Sequence, residues 1–173
     1  MGIRTWTIVP AALAVALIAS GCDDDNGDET TAAAPTKAQY VQSVKDRCSQ
    51  YLNERQAAEK PLQQAFGNAE DPSEIPPEEL KAGAEQIAAL NDTTREVLTD
   101  LAELPRPEAD QAGLEEVFAN FDEGKAALDE ADQAAAAGDG AALGASFEDF
   151  DKAVDKNGAL SDEYGFSVCG GEG

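Results

Sequence analysis

Residues 36–66 read TKAQYVQSVKDRCSQYLNERQAAEKPLQQAF, and their apolar positions recur at steps of three and four. Val41, Val44, Cys48, Tyr51 with Leu52, Arg55, Ala58, Leu62 and Ala65 fall on one stripe. That is a helical period, not the alternation of a strand. Thr36 opens the stretch as an N-cap with Gln39 three residues on, the pairing of a capping box. Phe66-Gly67 and Asp71-Pro72-Ser73 close it.

The same period returns three times. A second helix starts near Pro76-Pro77-Glu78-Glu79, with Pro and acids in its first turn, where fixed φ and the helix dipole favour them. Its stripe is Leu80, Ala84, Ile87, Asn91, Thr94, Leu98 and Leu101, and Pro105 and Pro107 stop it. A third carries Leu114, Val117, Phe121, Gly124, Leu128, Ala131 and Ala135 and ends at Gly138. A fourth follows Asp139 with Leu143, Phe147, Phe150, Val154, Asn157, Leu160 and Tyr164, and Gly165 is its C-cap. Four amphipathic helices joined by short Pro- or Gly-marked turns predict an all-α fold, an antiparallel up-down-up-down four-helix bundle over 36–170, with 171–173 as a flexible end. Small residues around the third turn (Ala131, Ala135, Ala141, Ala142, Gly144, Ala145) let backbones approach closely or leave room for Phe66.

The 173 residues suit one domain, and 42% hydrophobic residues suffice for a core. With 35 acidic side chains against 12 basic ones, the formal net charge of −23 excludes a nucleic-acid partner, which needs clustered Lys and Arg. The absence of His removes the commonest zinc and iron ligand and every His-dependent catalytic dyad or triad. Charge is unevenly spread. Residues 36–65 hold five bases and three acids, whereas 108–155 hold 14 acids and only Lys125 and Lys152. The first helix is expected to lie beside the fourth and relieve that repulsion.

The N-terminus has a positive start (Arg4), an apolar run from about Trp6 to Ala19, and small residues before Cys22. This is the layout of a secretory signal. The Cys directly after Ala19-Ser20-Gly21 resembles the lipobox of bacterial lipoproteins. That resemblance implies removal of residues 1–21, a diacylglyceryl group on Cys22, and a chain that meets the membrane through that lipid on the extracytoplasmic side. The alternatives are an uncleaved anchor helix, which Pro10 and an uncharged stretch at the short limit for spanning disfavour, and a secreted form without lipid. Residues 22–35 then form a disordered acidic tether with a reach of roughly 20 Å. Asp24, Asn26 and Asp28 alternate as in a calcium loop, but Glu29 and Pro35 stand where that loop needs Gly and Glu.

The chain closes on Tyr164-Gly165-Phe166-Ser167-Val168-Cys169-Gly170. With the lipobox, the early helical Cys48 and the Ala- and acid-rich middle, this ending resembles small actinobacterial lipoproteins that have no established activity. The resemblance implies a helical fold, an envelope address and a disulfide, and no chemistry. Counting leads to the same bridge. If lipid occupies Cys22, Cys48 and Cys169 are the remaining thiols in an oxidising compartment. Gly165 would turn the tail back along the first helix, with Phe166 and Val168 packing on the bundle. Two free thiols are the alternative.

Three other features bear on function. The glycines of Gly138–Gly144 lack the preceding strand of a phosphate-binding turn, and Asp139 would repel a phosphate. Glu148, Asp151 and Asp155 follow helical spacing, but a di-metal bundle wants Glu-x-x-His pairs, so they are expected on a solvated face. Arg55, Asn91 and Thr94 land on seam positions. The favoured reading is that Arg55 runs out along the helix surface while Asn91 fixes register; the alternative is a small anion pocket, in which a buried Arg55 would need Asn91 or an acid such as Glu54 or Glu59 as acceptor. No metal and no cofactor are expected.

The sequence therefore predicts a membrane-tethered, non-enzymatic lipoprotein that binds a protein partner or acts as an envelope component. The alternative is a carrier of a small ligand or cation. A seam cavity of a few hundred Å³ lined by Arg55 would favour the carrier, and a solid bundle the scaffold.

Overall fold

Thr36 starts the first helix by the capping box expected of it. Its hydroxyl accepts the Gln39 backbone N–H at 3.3 Å, and Gln39 Oε1 accepts the Thr36 N–H at 2.9 Å. This computed structural model describes residues 33–67, 69, 71–165 and 169. The signal-like segment, Cys22 and the acidic tether up to residue 32, as well as Phe166, Val168 and residues 171–173, lie outside the described residues.

Among the described residues five helices pack together: α1 (Lys37–Phe66), α2 (Pro77–Ala82), α3 (Ala84–Glu103), α4 (Gln111–Ala137) and α5 (Gly140–Tyr164). There is no strand among the described residues. α1 continues through Pro61 and ends at Gly67. Gly138 and Gly165 end α4 and α5 at φ 72° and 97°, where a side chain is strained and Gly is not.

The single second helix expected from the sequence is two helices. The chain breaks at Gly83, with φ −95° and ψ 3°. The cause is packing: a Cβ at Gly83 would stand 2.1 Å from the Phe66 ring, which rests on that break. Small residues do the same at the next turn. Cβ atoms at Gly138 and Gly140 would lie 2.7 Å from the Pro77 carbonyl oxygen and 2.2 Å from that of Pro72. The α4–α5 turn is thus seated on α2 and on the 3-10 turn Pro72–Glu74.

Two apolar clusters hold the helices. One joins Tyr40, Val44, Cys48 and Tyr51 of α1 to Val97, Leu98 and Leu101 of α3 and to Leu114, Val117, Phe118 and Phe121 of α4. The other gathers Leu80, Ile87, Ala131, Ala134, Ala135 and Leu143, with Leu62, Phe66 and Phe147 packed against it. One buried polar side chain ties two helices together. Asn157, fully buried on α5, donates to the Val117 carbonyl and accepts from Asn120, tying α5 to α4.

Cys48 and Cys169 form a disulfide with Cα atoms 4.9 Å apart. Near it, Tyr40 and Tyr164 meet edge to face with ring centroids 6.0 Å apart. These contacts join α1 to the end of α5. Elsewhere α1 packs on α3, and α5 on α4. Among the described residues no base of α1 forms an ion pair with an acid of α5, contrary to what the charge distribution suggested. Arg47 bonds Glu54 at 2.9 Å and Asp100 of α3 at 2.6 Å, and Lys156 of α5 pairs with Glu123 of α4.

Candidate functional site

The stripe of α1 thins after Tyr51. Leu52 is 49% exposed, Arg55 and Ala65 are exposed, and only Leu62 and Phe66 still cover apolar surface. The second half of α1 therefore has too little apolar surface to close against α5, and the two helices stand apart over α3. Between them lies a cleft with two chambers.

The larger chamber, about 660 Å³, is walled by Leu62, Gln63 and Phe66 of α1 and by Leu143, Gly144, Phe147 and Glu148 of α5. Ile87 and Leu90 of α3 form its floor. The smaller, about 300 Å³, lies between Tyr51 and Arg55 of α1 and Phe150, Val154 and Asp155 of α5, over Thr94, Val97, Leu98 and Leu101. Cys169 borders this chamber, so the disulfide stands at its edge. Asp151 lines both chambers. The α5 wall from Leu143 to Asp155 is about 18 Å long at 1.5 Å per residue. The seam of α1, α3 and α4, by contrast, holds a void of only about 10 Å³.

Two of the three polar residues on the expected seam share this cleft. Thr94 is buried, and its hydroxyl lies 3.1 Å from that of Tyr51, which places a paired polar group on an otherwise apolar floor. Arg55 lines the cleft with its guanidinium bonded to Glu59 at 2.7 Å. Burial opposes its charge, but the bonds to Glu59 and Tyr51 outweigh that and hold it above the usual arginine range. Asn91 faces away from the cleft. It is 2% exposed and donates to Asp132 of α4 at 2.7 Å, beside Arg95, which also binds Asp132. Asn91 and Arg55 are not brought together.

Phe147, Phe150, Asp151 and Asp155 were legible only as core or as solvated face. Their common signal is position: they flank one another along the α5 edge that α1 leaves uncovered. Among the described residues no group of three or more Cys, Asp or Glu side chains is arranged to hold a metal ion, and no helix is long and apolar enough to cross a membrane. Nothing matches the chain in comparisons with protein-family models, curated proteins and solved structures.

Proposed function

We propose that this chain is a lipoprotein held at the extracytoplasmic face of the cell membrane by a diacylglyceryl group on Cys22, and that it acts without catalysis, by carrying a small apolar ligand in the α1–α5 cleft. Residues 1–21 are the signal, 22–35 the tether, and 36–170 an up-down-up-down bundle in which α2 and α3 form one broken leg. The likeness of the lipobox and of the Tyr164–Gly170 ending to actinobacterial lipoproteins supports the address. The lack of His and the engagement of Cys48 and Cys169 with each other support a binding role over an enzymatic one.

One observation carries the choice of carrier over scaffold: chambers of about 660 and 300 Å³ over a floor of apolar and neutral side chains, a size range typical of small-molecule sites. A basic protein partner in the envelope is a second reading, favoured by the net charge of −23.

Gly144 offers a clean test. It lines the larger chamber, and a Cβ there meets nothing within 4 Å, so Gly144→Trp would fill the cleft without displacing the core. The fluorescence of N-phenyl-1-naphthylamine, an uncharged apolar probe, should rise on binding to the wild type and stay low with Gly144→Trp. Equal signals from both proteins, or none from either, would count against the carrier.

A further inference from the structure

We propose that the ligand of the α1–α5 cleft is an elongated amphiphilic cation, with its apolar body along α3 and its ammonium or guanidinium group against Asp151 and Asp155. This rests on the cleft being a binding site, and it names the ligand class that the site's charge selects.

The floor supplies no charge: Ile87, Leu90, Thr94, Val97, Leu98 and Leu101 are all apolar or neutral. Of the five charged groups on the walls, two already have a partner. Arg55 is neutralised by Glu59, and the Asp71 carboxylate accepts the Ser73 backbone N–H at 2.8 Å. Glu148 lies in the field of Lys152, which is itself bonded to Asp149. Asp151 and Asp155, like Glu148, enter no ion pair among the described residues, and they sit one helical turn apart on α5, Asp151 lining both chambers and Asp155 the smaller one.

These two carboxylates decide between ligands. An anion would face both of them with only a neutralised arginine in return. A neutral chain would shade them from water without replacing its hydrogen bonds, at a cost in free energy. A cation with an apolar body meets the carboxylates and the floor together, and its length is limited by the roughly 18 Å of α5 wall. The charge belongs to an organic group, because no set of three or more acidic side chains among the described residues is placed to enclose a metal.

The test compares three probes with the same chain, each below its micelle concentration and at fixed ionic strength: dodecyltrimethylammonium, dodecyl maltoside and laurate. They are titrated calorimetrically into the full exported chain carrying Cys22→Ser, which leaves no acyl group to compete. Dodecyltrimethylammonium should bind tightest. Asp151→Asn with Asp155→Asn should weaken it roughly three- to tenfold, as two partly exposed ion pairs would, and leave dodecyl maltoside binding no weaker than before. Both sites are exposed, so the double variant keeps the fold. Equal binding of all three probes, or a double variant without effect, overturns the cationic ligand while the cleft stands. Binding by none of them, or binding unaltered by Gly144→Trp, overturns the cleft as a site and the inference with it.

Discussion

Cys48 on α1 is bonded to Cys169 beyond the end of α5, across 121 residues of sequence, and the pair stands at the edge of the smaller chamber of the cleft. The bridge restrains the unfolded chain over nearly the whole bundle. The loop-entropy relation gives about 4–5 kcal/mol for a loop this long. Cys48→Ser with Cys169→Ser, or reduction, should lower the melting temperature by about 10 °C. Thiol titration of the unfolded, unreduced protein should find neither cysteine free. Two reactive thiols there would contradict the bridge.

The two glycines near the start of α5 give opposite outcomes for one chemical change. Gly140→Ala sets a methyl against the Pro72 carbonyl, a backbone group that cannot move aside, and should destabilise by roughly 1–3 kcal/mol. Gly144→Ala meets open space and replaces a poor helix former by the best one, so it should stabilise by up to about 1 kcal/mol. Urea midpoints of the two variants check the signs.

Aromatic truncations separate core from cleft. Phe121 is 4% exposed between α1 and α4, and Phe121→Ala should cost roughly 3–5 kcal/mol. Phe150 is half-buried on the cleft wall, so Phe150→Ala leaves less of a cavity and should cost about 1–2 kcal/mol. Equal losses at the two positions would place Phe150 in a closed core. That is where its stripe alone puts it.

Much of the fold is legible in the sequence because helical periodicity, caps and breakers are local signals. Thr36 with Gln39, Gly138 and Gly165 stand at the ends they were expected to mark. The Gly83 break was not legible, because its cause is the Phe66 ring arriving from another helix. Nor was the outward turn of Asn91. Its place on the stripe marks it as buried, but whether it faces α1 or α4 depends on how the broken leg rotates after Gly83. The cleft left a faint trace in the thin stripe of α1 at Arg55, Ala58 and Ala65. That a weak stripe leaves a cleft between α1 and α5 rather than a looser core follows only from the packing of all five helices.

Alkaline pH should weaken the fold through Tyr40. Burial pushes its phenol up from 10.0 to about 12, with the nearby Arg106 charge pulling the other way. Tyr164, shielded by burial and bonded to Asp110 at 2.7 Å, is raised as well. Below pH 10 these phenols are neutral in both states. Above it the unfolded chain ionises first, so stability falls between about pH 10 and 12, by about 2–3 kcal/mol for Tyr40. Tyr40→Phe should flatten that slope in denaturation followed across this range, and an unchanged slope would remove Tyr40 from the account.

The proposed anchor is tested at Cys22. The wild-type protein should partition into the detergent phase, and its N-terminal peptide should begin at Cys22 and carry lipid. Cys22→Ser should block signal cleavage or release the chain to the medium. A wild type that stays in the aqueous phase with Cys22 unmodified would remove the lipid from the account and leave the cleft untouched.

The central claim is that the gap between α1 and α5 receives a ligand, and methyl NMR addresses it most directly. In a titration with N-phenyl-1-naphthylamine, the methyl groups of Leu62, Ile87, Leu90 and Leu143, which line the larger chamber, should shift together with one affinity. Those of Leu114 and Val117, in the closed seam of α1, α3 and α4, should stay in place. Shifts scattered over the surface, or confined to Leu114 and Val117, would contradict a binding cleft between α1 and α5.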